Sequence, residues 1–182
     1  MTEGRVDLAE ILARSSSAQI GAWGEETAAV LLEQTRGATI VSMGDAAMPR
    51  RGALQDLDLV VFIDGELIVY EVKTRHASRL AGRLTKAGNL TRPRLRWRSR
   101  PSADRQASQG YVAARLVDIV DVTDGYEGVE VRVMAVDFRL MMAQEFVVDD
   151  RGSTMVPAAV PLSCNEAAGT ALARIIDHRG HL

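Results

Sequence analysis

Apolar positions along this chain recur first at helical spacing and then in alternation. Val6, Leu8, Ile11 and Leu12 give residues 5–14 a helical period, and Ser15-Ser16-Ser17 breaks it. A stronger helical pattern covers about 18–34, with Ile20, Trp23, Thr27, Val30 and Leu31 near one face and Gly37 as its stop. Gly24 inside it costs about 1 kcal/mol relative to alanine, which points to close approach by another backbone or a ligand. Residues 38–43 read as a strand. From Leu57 the period becomes two: an alternating run to Ile63, an Asp64-Gly65 pair suited to a two-residue turn, and a second run from Leu67 to Val72. A hairpin closed by that turn pairs Ile63 with Glu66 and sets Asp58 opposite Glu71, with Lys73 on the same face as Glu71. Opposed positions have Cβ atoms about 4.5–5.5 Å apart, where two carboxylates destabilise a sheet unless something sits between them. A divalent cation would do that.

The remaining pattern adds elements around this hairpin. Residues 44–55 are a loop marked by Pro49 and Gly52, and about 76–102 is a basic stretch too rich in Gly, Pro and Arg for a core. Residues 103–120 have an apolar side made of Val112, Leu116, Ile119 and Val120, with Ser102 as a cap and Gln106 and Gln109 sharing a face near the start. Val129 to Phe138 reads as a strand, and Glu145 to Asp149 as another that turns at Asp150-Arg151-Gly152. Ser163 and Glu166 form a capping-box pattern opening a helix to about Asp177, and His178 and His181 fall in a polar tail. Helices and strands so mixed make an α/β chain.

Composition narrows the chemistry. With 47% hydrophobic and 25% charged residues in 182, the chain can bury a real core. No apolar run is long enough to cross a membrane, and the start lacks the pattern of a secretory signal, so a cytoplasmic protein without a membrane partner is expected. One cysteine, Cys164, forms no internal disulfide, and three histidines make no structural zinc set, so any metal would be held by oxygen. Net charge is only −2, yet residues 75–105 hold nine arginines and Lys86 against one acid, Asp104. Within that stretch Arg92, Arg94, Arg96, Arg98 and Arg100 alternate with other residues, Trp97 among them. Extended, they would line guanidinium groups along one side, an arrangement suited to phosphates.

Two segments, GAWGEETAAVLLEQTRGATIV (Gly21 to Val41) and LQDLDLVVFIDGELIVYEVKTR (Leu54 to Arg75), together resemble the restriction-endonuclease-like PD-(D/E)XK superfamily. The likeness is nearest to its YraN-like family of small bacterial endonuclease-like proteins, and the segments are also similar to archaeal Holliday-junction resolvases. VEVRVMAV (Val129 to Val136) is similar to that family's later Val-Arg strand, so the likeness runs from about Gly21 to Val136 and leaves both ends of the chain outside it. The resemblance implies a mixed central sheet flanked by helices, a nuclease core over 18–140 with the basic insertion at about 76–102; the residue pattern adds a helical appendage over 1–17 and a strand and helix extension over 141–182 packed on that core.

It also implies a metal-dependent DNA endonuclease, structure-selective and acting in repair or recombination, that uses Mg²⁺ or Mn²⁺. Glu25 falls on the family's helix glutamate, Asp58 on its acidic strand residue, and Glu71 and Lys73 on its Glu-X-Lys pair. Asp58 and Glu71, with the carbonyl of Val72, would hold the cation, while Lys73 would act on the attacking water. Arg75, the Arg92 to Arg100 strip with Trp97, and Gln106 and Gln109 would contact DNA, RNA being the other nucleic-acid candidate. A twofold homodimer would suit cutting both strands. The same residues leave room for a binding module that keeps the fold without hydrolysis, or for an interaction subunit of a DNA-processing complex.

Overall fold

The computed structural model describes residues 8–43, 57–76, 83–93, 129–149 and 154–180. The readings for Arg94, Arg96, Trp97, Arg98, Arg100, Gln106 and Gln109, and for the helix over 103–120, lie outside the described residues.

Among the described residues three helices, α1 (Leu8–Arg14), α2 (Ser17–Arg36) and α3 (Asn165–Arg179), accompany seven strands: β1 (Thr39–Met43), β2 (Leu59–Ile63), β3 (Glu66–Arg75), β4 (Glu130–Asp137), β5 (Met142–Val148), β6 (Met155–Pro157) and β7 (Leu162–Ser163). All seven strands belong to one mixed sheet in the order β1-β2-β3-β4-β5-β6, with β7 also on β5. Its pairs are antiparallel except β3 with β4, which run parallel and so need the long connection between Arg75 and Glu130. The fold is therefore mixed α/β, as the pattern predicts.

Local chemistry explains the boundaries. Ser16 caps α2 in a reciprocal box: its hydroxyl accepts from the Gln19 amide, and the Gln19 side chain accepts from the Ser16 amide. Gly37 ends the helix in the left-handed conformation, φ 62°, where a side chain would be strained. Asp64 and Gly65 both have positive φ, 53° and 85°, the backbone of a type I′ turn that fits the twist of the two strands. The hairpin register follows, Ile63 facing Glu66 and, at the far end of the ladder, Leu59 facing Tyr70.

The C-terminal helix corrects one expectation. Its cap is Cys164, with no side-chain hydrogen bond, and not Ser163. Ser163 belongs to β7 and pairs with Met142, so the sheet has claimed the backbone a capping box would need. The helix also runs past Asp177 to Arg179, placing exposed His178 in its last turn, and Gly180 closes it at φ 73°.

Two apolar layers sandwich the sheet. On one face α2 and α3 pack together over Leu59, Val61, Ile68, Tyr70, Val72, Met134 and Val136. Trp23 sits at the centre, its indole Nε1 donating to the Ala168 carbonyl at 2.8 Å and its ring stacked on Phe138 at 4.3 Å. Buried Ala28, Ala29, Ala167, Ala168 and Ala171 keep side-chain bulk low in this layer, and Arg174 bridges from α3 to Glu26 and Glu33 on α2. The other face gathers Leu57, Val60, Val69, Val131, Val133, Ala135 and Phe146, with Leu90 from residues 83–93 laid over it. Residues 142–179 thus complete the same sheet and the same core as the hairpin.

Candidate functional site

Alternation along β3 divides its side chains between the layers. Ile68, Tyr70 and Val72 face the helices, so Glu71, Lys73 and Arg75 share the opposite face with Val69. Glu71 is 3% exposed, a position where a carboxylate needs a partner, and the Lys73 ammonium is in direct contact with its Oε1. The same ammonium lies 3.9 Å from Asp58 Oδ2.

Asp58 reaches this point differently from a ladder residue. The β2 ladder ends at Leu59, and Asp58 sits one step beyond it in a bend. Its Oδ2 accepts a 2.7 Å hydrogen bond from the Val72 amide. In extended backbone the N–H and C=O of one residue point to the same side, so the Val72 carbonyl also faces the Asp58 edge. The register from Ile63–Glu66 to Leu59–Tyr70 is the one the turn dictates, the ladder stops one pair short of Asp58 and Glu71, and the Lys73 ammonium touches Glu71 and lies 3.9 Å from Asp58.

α2 approaches the same end of β3 from the other layer. A Cβ placed on Gly24 would lie 1.8 Å from Thr74 Oγ1 and 2.9 Å from Thr74 Cβ, so the helix meets the strand where only a hydrogen fits. Glu25, next in the chain, is half-buried with Oε2 shielded from solvent. It belongs to α2, which packs on the helix layer and meets β3 at Thr74 through Gly24.

The donor set present suits a hard cation: two carboxylates and a backbone carbonyl at one strand edge, all oxygen. Among the described residues no group of three His, Cys, Asp or Glu side chains is gathered that could hold a metal. A cation here would rest on Asp58 and Glu71 with backbone or solvent oxygen, and Lys73 would have to yield contact with Glu71.

Arg75 occupies a place the sequence does not suggest. Its guanidinium turns onto residues 91 and 92, Nη1 donating to Thr91 Oγ1 and Nη2 to the Arg92 carbonyl at 2.5 Å. Burial lowers its pKa from the ordinary arginine value, and the nearby Asp137 carboxylate works against that. Arg75 therefore directs two of its donors at the protein, while Arg92 is exposed. Gln144 on β5 joins the same region and escapes a pattern-based reading. It is 2% exposed and takes three hydrogen bonds, accepting from the Leu90 amide and donating to Asn89 Oδ1 and the Ala159 carbonyl, each at 2.7 Å. The available signal was a polar residue among the apolar positions of β5, facing the layer of Met142 and Phe146.

A second ionic cluster lies on the helix layer. Glu145 accepts from Arg36 at 3.1 Å and Arg132 at 2.6 Å, and Arg132 also grips Glu130 through Nε and Nη2 at 2.8 and 2.9 Å. Its hydrogen-bonded pairing ties the end of α2 to β4 and β5, a structural role. Compared with protein-family models, with curated proteins and with solved structures, the chain matches none. The site therefore has to be read from its own chemistry.

Proposed function

We propose that this chain is a metal-dependent phosphodiesterase acting on nucleic acid, a DNA endonuclease of restriction-endonuclease-like fold. The observation that carries the reading is the meeting of Asp58, Glu71 and Lys73 at one end of the hairpin, with the Val72 carbonyl on the Asp58 side. The described elements also follow the order on which the resemblance rests: a helix with Gly24-Glu25, a strand, a strand that begins directly after Asp58, and the Glu71-Val72-Lys73 strand. Phosphodiester hydrolysis needs an activated water and neutralisation of the charge that builds on phosphate, and a bound Mg²⁺ or Mn²⁺ supplies both.

The chain's own groups have the remaining tasks. Asp58 and Glu71 would present oxygens to such a cation, and the Val72 amide fixes the orientation of the Asp58 carboxylate. Lys73 would hold its ammonium beside the attacking water and offset negative charge on the phosphate once it yields its contact with Glu71. Glu25 would support the site from α2, next in the chain to the Gly24–Thr74 contact. The Lys73–Glu71 contact supports a second reading, in which lysine neutralises the pair permanently and the chain binds nucleic acid without cutting it.

One experiment separates them. The purified chain is incubated with supercoiled, linear, single-stranded and branched DNA in Mg²⁺, Mn²⁺ or EDTA, beside Lys73→Ala and Asp58→Asn. Cleavage that needs the cation and disappears in both variants is the expected result. No cleavage by the wild type, or equal cleavage by the variants, removes the enzyme reading.

A further inference from the structure

We infer that residues 83–93 are a preset cationic loop that seats a nucleic-acid phosphate backbone beside Asp58, Glu71 and Lys73, and that Gln144 and Arg75 are the residues positioning it. The inference rests on the nucleic-acid reading above and adds to it a contact surface and the means by which that surface is held.

The segment, RLTKAGNLTRP, carries Arg83, Lys86 and Arg92 and no acid. All three cations are exposed, and among the described residues no ion pair neutralises them. A solvated loop of this composition needs no internal order, yet this one is closed on itself. Leu84 and Leu90 form an antiparallel bridge; the Thr85 amide donates to the Asn89 carbonyl at 2.7 Å and the Gly88 amide to the Thr85 carbonyl at 2.9 Å. Gly88 takes φ 77° to make the turn. The Asn89 amide donates to Thr85 Oγ1 at 3.2 Å.

The base of the loop is fastened at two points. Gln144, buried in the sheet layer, binds the Leu90 amide and the Asn89 side chain while also holding the Ala159 carbonyl. A buried amide in an apolar layer is costly unless satisfied, and a satisfied one specifies position more sharply than an apolar plug would. Arg75 takes the outgoing side through Thr91 and the Arg92 carbonyl. Because Arg75 is two residues from Lys73 on the same face of β3, these clamps set the loop's distance from the carboxylate pair. Leu90, 1% exposed, closes the apolar layer beneath. The result is a fastened mount with its positive charge exposed to solvent, near the contact between half-buried Lys73 and buried Glu71. An acid-free surface of exposed cations suits a polyanion such as a phosphate backbone.

Binding of the full chain to a labelled linear duplex DNA, followed by fluorescence anisotropy in EDTA across a NaCl series, tests this without cleavage. Each phosphate contact contributes about 0.9 to the slope of log K against log salt. Arg83→Ala/Lys86→Ala should flatten the slope by roughly 1 to 2, and Arg14→Ala, on α1 in the other layer, should leave it unchanged. Thr91→Val and Gln144→Met remove no charge. A flatter slope in either, with the variant shown folded by circular dichroism, would come from misplaced cations. An unaltered slope in the double variant overturns the inference, and unaltered slopes in both uncharged variants overturn the positioning role. A chain that shows these slopes but cuts nothing with metal loses the nuclease reading alone. One that cuts in a Lys73-dependent way with an unchanged slope loses only the loop.

Discussion

Asp58 meets β3 through the backbone of Val72, its Oδ2 accepting the Val72 amide at 2.7 Å, while the Lys73 ammonium stands 3.9 Å away. One carboxylate thus has a structural and a chemical task, and two substitutions separate them. Asn keeps an oxygen that accepts from the Val72 amide, so Asp58→Asn should stay within about 1 kcal/mol of the wild type in urea unfolding. Asp58→Ala leaves that amide without its acceptor and should lose about 1–3 kcal/mol. Under the nuclease reading both lose metal-dependent cleavage, so activity and unfolding midpoint should part company in Asp58→Asn alone. Equal destabilisation by the two would remove the hydrogen bond from the account.

Gly24 and Thr74 make a contact whose cost runs against helix propensity. Alanine in the middle of α2 should gain about 1 kcal/mol over glycine in an open helix. Here the new methyl meets Thr74 Oγ1 at 1.8 Å and Cβ at 2.9 Å, on a residue whose backbone is held in the ladder with Val136 of β4. Overpacking typically costs about 1–3 kcal/mol, so Gly24→Ala should destabilise. Thr74→Ala removes the nearest atom, and the double variant should recover part of the loss, giving a non-additive cycle in denaturant unfolding. Additive losses would show that the helix and strand are not in contact at this point.

The hairpin was legible because its turn is dictated locally: Asp64 and Gly65 tolerate the positive φ that a two-residue loop requires, and the register follows from the turn. Gly37 stops α2 by the same kind of local requirement. Alternation told which face Glu71 and Lys73 occupy, but not where the ladder ends, so the bend at Asp58 and its bond to Val72 were not visible. Ser163 and Glu166 look like a capping box in isolation. Pairing of Ser163 with Met142, distant in sequence, decided otherwise. Arg75 and Gln144 show the same limit from the side of function, because their partners at residues 89–92 and 159 are reached only through the fold.

Alkaline pH should expose two buried acids. Tyr70, beneath the helices, has its pKa raised above 10 by burial and then by the Glu145 carboxylate; burial pushes the Cys164 thiol from 9 up to about 12. In both, the folded state holds a proton that the unfolded chain releases earlier. Their stabilisation is complete below the unfolded values near 9 and 10, and is lost as pH rises towards the folded ones. Urea midpoints should therefore fall between pH 9 and 12, each group contributing at most about 1.4 kcal/mol per pH unit. Cys164→Ala should flatten the decline at its lower end and Tyr70→Phe at its upper end. The native thiol should also react slowly with a thiol reagent at pH 8 and promptly in denaturant. A midpoint independent of pH over this range in the wild type would contradict both shifts.

Lys73 holds the position that a cation would share, and this gives a test of the metal site apart from catalysis. With Lys73 present, a divalent ion must displace an ammonium from Glu71, whose side chain is 3% exposed. Lys73→Ala removes the competitor and leaves the buried carboxylate short of positive charge, so in EDTA the variant should be less stable than the wild type. Adding Mg²⁺ or Mn²⁺ should then raise its thermal midpoint more than it raises that of the wild type. Binding to the folded state alone stabilises by about 1.4 kcal/mol once the free ion reaches ten times its dissociation constant. Adding Glu71→Gln to Lys73→Ala should abolish the extra response, because an amide is a poor substitute for a carboxylate ligand. Differential scanning fluorimetry over a metal titration measures all three proteins. A midpoint in Lys73→Ala that is indifferent to the ion would mean that Asp58 and Glu71 hold no divalent cation, leaving the lysine as the permanent counter-charge of the site.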